Sequence, residues 1–283
     1  MLRKNIETFL CCDKEWQEAG TVLFGAPFDS TTSYRPGSRF GSAAIRRESY
    51  GIESYSPYQD KDLLDSAVLD SGDLELPFGD TALALAQIEE RAAAILGAGK
   101  RPFLLGGEHL VTLGAFRAAF EKYQDIHILH FDAHADLRED YLGVRLSHAC
   151  VLRRCWELCG DGKIFQFGIR SGDREEFRWG ASHVSTHKFD LNGLESCLEQ
   201  LGDTPVYFTL DLDVLDPSVF PGTGTPEPGG VTFEELRRAV TLVCEKANVV
   251  ACDVNELSPP CDQSGVSTMV ACKIVREMLL ALD

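Results

Sequence analysis

The chain has 283 residues, 44% hydrophobic, 9% aromatic and 25% charged, a composition that excludes disordered, collagenous and disulfide-scaffold classes. Lys and Arg number 27 against 44 Asp and Glu, giving a formal charge of -17. That balance disfavours a nucleic-acid backbone or an anionic membrane surface as partner and suits a cationic one. The ten cysteines form no CxxC pair and several sit in apolar runs, so they read as small buried hydrophobes. No leader pattern opens the sequence and no apolar run approaches the ~20 residues of a membrane span, so the expected setting is a reducing cytoplasm.

In chain order, apolar runs predict strands over residues 21–24, 66–69, 102–105, 126–131, 163–168, 205–210 and 248–254. Helical spacing predicts helices over 80–96, 108–123, 147–158, 193–201, 232–246 and 266–282. Asp190 is the expected cap of the 193–201 helix, and Thr232 with Glu235 forms a capping box. Strand and helix alternate, the pattern of an α/β fold in which an open, mainly parallel sheet carries helices on both faces. No linker or repeat divides residues 1–283, which read as one domain. The Pro/Gly-rich stretch 216–230 reads as a functional loop.

Three polar clusters occur where predicted strands run out, the usual location of sites in open α/β sheets. In Asp132-Ala133-His134-Ala135-Asp136 an extended chain would project all three polar side chains on one face. Asp211-Leu212-Asp213 alternates in the same way. Gly106-Gly107-Glu108-His109 places a histidine after a diglycine, which permits close backbone approach or positive φ. Each cluster alone also fits a solvated strand end, a turn or a helix cap. Together they supply two imidazoles and four carboxylates, too oxygen-rich for structural zinc and too many for one ion unless ligands are shared. A two-metal site uses all six. Donor hardness favours Mn2+ over Zn2+ or Cu2+ and leaves Fe, Co and Ni open. No GxGxxG, Walker A, HExxH or GxSxG motif is present.

At these residues the sequence resembles the ureohydrolase (arginase/agmatinase) family of binuclear manganese enzymes, with GGEH, DAHAD and DLD matching its elements in order along nearly the whole chain. Glu108 stands where Asp is usual and Thr209 where Ser is usual, which bears on orientation around the ligands. The resemblance implies an arginase-like three-layer sandwich, two Mn2+ per subunit and a homotrimer or homohexamer. It implies that His109, Asp132, Asp136 and Asp211 hold one ion while Asp132, His134, Asp211 and Asp213 hold the other. It further implies that Asp136 acts on the metal-activated water, that His148 is the proton shuttle with an ordinary imidazole pKa near ~6.5, and that Glu256 clamps a guanidinium through two parallel hydrogen bonds. His127 and His130 read as core or strand histidines.

The stretch after Asp136, Leu137-Arg138-Glu139-Asp140-Tyr141, lacks the Asn and Pro with which arginases receive an α-carboxylate. It resembles the agmatinase branch, as do Gly25-Ala26-Pro27-Phe28-Asp29 and Arg35-Pro36-Gly37. The implied substrate is a small cationic guanidino compound, agmatine first. Arg138 points the other way if it enters the pocket, since it could receive the acid of guanidinobutyrate. Arginine and formimidoylglutamate are further alternatives, and a catalytically silent metal- or polyamine-binding protein is the alternative from another class.

Overall fold

The computed structural model describes residues 7–283. In chain order it contains β1 (Thr21–Gly25), α1 (Gly41–Ser49), β2 (Tyr55–Ser56), β3 (Lys61–Asp62), β4 (Val68–Asp73), α2 (Thr81–Gly97), β5 (Arg101–Leu105), α3 (Thr112–Lys122), β6 (His127–Phe131), α4 (Val151–Cys159), β7 (Ile164–Ile169), α5 (Arg174–His183), β8 (Ser185–Lys188), α6 (Leu194–Leu201), β9 (Pro205–Asp211), α7 (Phe233–Lys246), β10 (Asn248–Asn255) and α8 (Val266–Leu282). Eight strands form one sheet in the order β4-β1-β5-β10-β9-β6-β7-β8. Every pairing within it is parallel, so the expected mainly parallel sheet is wholly so. β2 and β3 make a separate antiparallel hairpin.

The three layers follow from strand periodicity. Leu23, Phe103, Leu129, Phe131 and Phe208 point to one face, where they pack with residues of α1, α6, α7 and α8. Val22, Phe24, Leu104, Ile128 and Tyr207 point to the other, where α2, α3 and α4 cover them. Because both faces are buried, the central strands are almost continuously apolar, which is why they were readable.

Helix ends show where local chemistry set the boundaries. Thr232 and Glu235 form the expected capping box at α7. Asp173 and Glu176 form a second one at α5, a helix not anticipated because its sequence is polar and short. Asp190 does not cap α6; its carboxylate accepts from Asn192 in the preceding turn, and the N-cap is Gly193 in the left-handed region. The 108–123 and 147–158 helices are shorter than expected: each opens with a 3-10 turn, His109–Val111 and His148–Cys150, before α3 and α4 begin. The edge strand β8 is half-buried and polar, and gave no apolar signal.

All ten cysteines are free and seven are buried. Burial pushes the Cys150 thiol up to about 12, which keeps it protonated and unreactive. Among the described residues no helix is long and apolar enough to cross a membrane.

Candidate metal centre and active site

β5, β10, β9 and β6 are neighbours, and their C-terminal ends deliver the three clusters to one crevice. The diglycine after β5 serves close approach, since neither Gly106 nor Gly107 has positive φ. A Cβ on Gly107 would lie 2.0 Å from the Phe28 carbonyl oxygen, and one on Gly106 would lie 1.8 Å from Asn255 Oδ1. The tight passage lets Glu108 N–H donate to Phe28 O (2.7 Å) and Glu256 N–H donate to Gly107 O (2.9 Å), which fixes β5 and β10 together at the site.

The ligand candidates converge by turns rather than by strand pleating, which corrects the expected geometry. β6 ends at Phe131, and Asp136 adopts φ 53°, so 132–136 is not extended. β9 ends at Asp211, whose carboxylate accepts from Asp213 N–H (2.8 Å) to start a 3-10 turn. Left-handed backbone at Asp136 and at Glu256 (φ 67°) is costly for residues other than glycine and recurs where a site over-determines the chain.

His109 Nδ1 lies 3.0 Å from Asp132 Oδ2, 3.1 Å from Asp136 Oδ2 and 3.5 Å from Asp211 Oδ2. His134 Nδ1 lies 3.0 Å from Asp213 Oδ2 and 3.4 Å from Asp132 Oδ1. All six predicted ligand residues therefore meet, with His134 alone partly exposed. Thr209 Oγ1 donates to Asp253 (2.6 Å), so it receives the proton of His109 Nε2 (2.9 Å) and leaves Nδ1 as a bare lone pair turned into the carboxylates. His109 Nδ1 and Asp213 Oδ2 are buried without a hydrogen-bond partner. Two partnerless acceptors inside a ring of carboxylates are what a bound cation resolves, so these residues fit metal ions. Thr209, in place of the usual Ser, keeps the orienting hydroxyl.

The electrostatics agree. Burial, followed by the Asp132 charge, raises the Asp136 carboxyl to about 7. Burial with Asp213, Asp132 and Glu256 nearby raises Asp211 well above the carboxylate range. Asp132 moves the other way: burial raises it, but the imidazoles of His109, His130 and His134 around it hold it well below. Four buried carboxyls this close cannot all ionise without positive charge among them.

Glu256 and His148 border the same crevice. Glu256 Oε1 accepts from His109 N–H (2.7 Å), and burial beside Glu108 and Asp213 raises its carboxyl well above the usual range. His148 is held through Thr31: its N–H donates to Thr31 Oγ1 (3.1 Å), and Nδ1 lies 3.3 Å from the same oxygen. Thr31 is held in turn by Glu108, which accepts from its N–H (2.9 Å) and its hydroxyl (2.5 Å). The longer Glu108 thus reaches away from the carboxylate ring to the loop that carries His148. Burial, with His134 next, lowers His148 to about 4. The expectation of an ordinary imidazole is corrected: His148 is neutral near pH 7 and holds a proton less readily than a free imidazole.

Arg138 lines the outer part of the crevice, but its charge is engaged. Nε donates to Glu176 Oε2 (3.1 Å) and the guanidinium lies 4.7 Å from the centre of the Tyr141 ring. Glu176 was missed by sequence reasoning, although the Asp173-x-x-Glu176 box was a legible signal. His130 was read as a core histidine, and it is fully buried, yet its Nε2 lies 2.9 Å from Asp132 Oδ2. The i, i+2 spacing from His130 to Asp132 was the clue. The 216–230 loop is tied down by Arg170, which donates to Glu227 O and Asp213 O, and it brings Thr225 to the crevice.

The chain is thus an all-parallel α/β protein with a histidine–carboxylate cluster that could hold metal ions at the ends of its central strands, and the sequence profile of the arginase family matches residues 19–281. The chain belongs to the arginase family. It is 47% identical over 279 residues to the agmatinase of Bacillus subtilis (strain 168), covering 97% of this chain and 96% of that one. The crystal structure of agmatine ureohydrolase of Thermoplasma volcanium superposes with a TM-score of 0.90 at 36% identity, covering 99% of this chain and 95% of that one. The guanidinobutyrase of Pseudomonas aeruginosa is 34% identical over 274 residues, 92% of this chain and 86% of its own.

Proposed function

We propose that this chain, acting as one domain, hydrolyses agmatine to putrescine and urea with two Mn2+ ions. His109, Asp132, Asp136 and Asp211 would hold one ion, and Asp132, His134, Asp211 and Asp213 the other, with Asp132 and Asp211 shared. The observation that carries the reading is the pair of partnerless buried acceptors, His109 Nδ1 and Asp213 Oδ2, inside a ring of four carboxylates beside Glu256. Imidazole and carboxylate donors without thiolate suit Mn2+. Four carboxylates balance two divalent ions, which leaves room for a cationic substrate. Relatives named agmatinase support the substrate, and family resemblance supports a trimer or hexamer in the cytoplasm.

Bound divalent ions would act as Lewis acids and make hydroxide available from water near neutral pH. The protein's part is orientation and proton handling. Glu256, one oxygen pinned by His109 N–H, receives the planar guanidinium and fixes its carbon over the carboxylate ring. Asp136 accepts a hydrogen bond from the attacking water. Water adds its oxygen to the guanidino carbon, and the bond to the alkyl-substituted nitrogen breaks. Neutral His148 takes up the proton released and passes it to the departing amine, which leaves as putrescine while the remaining carbon becomes urea.

Arg138 bears on the alternative substrate. Its Nε is paired with Glu176, which partly neutralises it and favours the ammonium of agmatine over the carboxylate of guanidinobutyrate. Urea release from agmatine, arginine and guanidinobutyrate by Mn-loaded protein tests the assignment. Agmatine should be used best, and urea from arginine or guanidinobutyrate alone would move the assignment. Metal binding with no urea from any of the three would point to the silent-protein alternative. Glu176→Gln should release Arg138 and move the guanidinobutyrate-to-agmatine ratio of kcat/KM up by ~10-fold, about the worth of one charge-assisted contact.

A further inference from the structure

Beyond the ligand residues, a line of three side chains crosses the outer half of the sheet toward Asp132. His130 on β6, Gln166 on β7 and Thr186 on β8 are direct register partners across adjacent parallel strands. Thr186 Oγ1 donates to Gln166 Oε1 (3.0 Å). Gln166 Nε2 donates to Ala135 O (2.8 Å) and lies 3.0 Å from His130 Nδ1. His130 Nε2 lies 2.9 Å from Asp132 Oδ2.

The proton positions follow from donor and acceptor capacity. The Ala135 carbonyl can only accept, so the amide nitrogen of Gln166 must be the end that faces it, and the Thr186 hydroxyl satisfies the amide oxygen. The second amide proton then points at His130 Nδ1, which must offer a lone pair. In the resulting neutral ring the proton sits on Nε2 and is donated to Asp132. Asp132 Oδ1 also accepts from His134 N–H (2.5 Å), so both oxygens are held from outside the crevice. His130, His109 and Asp132 have donor atoms close enough for one ion, but this tautomer gives His130 no lone pair to offer there.

We infer that Thr186, Gln166 and His130 are positioning residues: a hydrogen-bonded ladder running in from the sheet edge fixes the His130 tautomer and, through it, the orientation of Asp132 toward the metal ions. The role in metal binding rests on the reading of Asp132 as a ligand, whereas the tautomer does not. A misplaced orienting contact around a metal ligand costs ~10–100-fold in metal affinity.

The test combines imidazole nitrogen NMR of the metal-free protein with calorimetric Mn2+ titration. Wild-type His130 should be neutral with its proton on Nε2. Gln166→Glu, which can only accept from the ring, should put a proton on Nδ1. His130→Phe, which keeps a ring but removes the donor, should weaken Mn2+ binding ~10–100-fold, whereas His130→Gln, whose amide nitrogen can reach Asp132, should bind within a few-fold of wild type. Unchanged thermal melting of the metal-free variants separates positioning from folding, and a His130→Phe that fails to fold leaves His130→Leu, which also lacks the donor, to report the same loss of affinity. A proton on Nδ1 in the wild type would overturn the ladder. Equal Mn2+ affinity in wild type, Gln166→Glu and His130→Phe would overturn the positioning role. Wild-type protein that binds no Mn2+ would instead overturn the metal reading beneath it.

Discussion

Asp211→Asn is expected to lose at least one of the two ions and to lower turnover by more than the ~10–100-fold typical of a residue one layer behind a ligand. Asparagine keeps the carbonyl oxygen that accepts from Asp213 N–H, so the turn at the end of β9 survives. It replaces the second oxygen, which faces His109 Nδ1 at 3.5 Å, with an amide nitrogen that cannot bridge two ions. The metal-free variant should melt no lower than wild type. Burial and the neighbouring Asp213, Asp132 and Glu256 raise the Asp211 carboxyl, so its ionised form disfavours the metal-free fold and neutralising it removes that repulsion. Metal analysis, steady-state kinetics and melting curves check the three parts. Full metal content with near-native kcat would show that Asp211 is not a shared ligand.

Glu256→Gln is expected to separate substrate recognition from metal binding. Removing one partner of a desolvated, doubly hydrogen-bonded charge pair costs ~2–5 kcal/mol, which is roughly a 30- to 5000-fold fall in kcat/KM for a guanidinium substrate. The glutamine carbonyl can still accept from His109 N–H, so the entry into the ligand cluster should hold and both ions should bind as in wild type. Loss of metal together with activity would show that Glu256 supports the metal ligands rather than the substrate.

The two variants also mark what could be read without coordinates. Asp211, Asp213 and the DAHAD residues announced themselves because each cluster follows a strand buried on both faces, and such strands are nearly continuous apolar runs. The family resemblance then supplied roles for them that spacing alone left open. Their convergence was misjudged: strand alternation was the wrong template, since it takes left-handed backbone at Asp136 and a 3-10 turn at Leu212–Val214 to aim the carboxylates inward. Both depend on tertiary support, which no local propensity encodes.

What stayed hidden lies one layer out. His148 looked like an ordinary imidazole, but burial beside His134 depends on neighbours 14 or more residues away. Glu108 looked like a conservative exchange for Asp, yet the extra methylene takes it to Thr31, 77 residues earlier in the chain. Arg138 seemed available to an acidic substrate until Glu176 and Tyr141 engaged it. His130, Gln166 and Thr186 become a group only when β6, β7 and β8 pair in register, and β8 is a short polar edge strand with no apolar signature.

The most direct measurement is a titration of chelator-treated protein with Mn2+ while urea release from agmatine and the bound metal are followed together. Urea should be absent without metal and should rise to a plateau at two ions per chain, with putrescine formed in equal amount. Urea release from the metal-free protein, or saturation with Mn2+ and no urea from agmatine, would contradict the account.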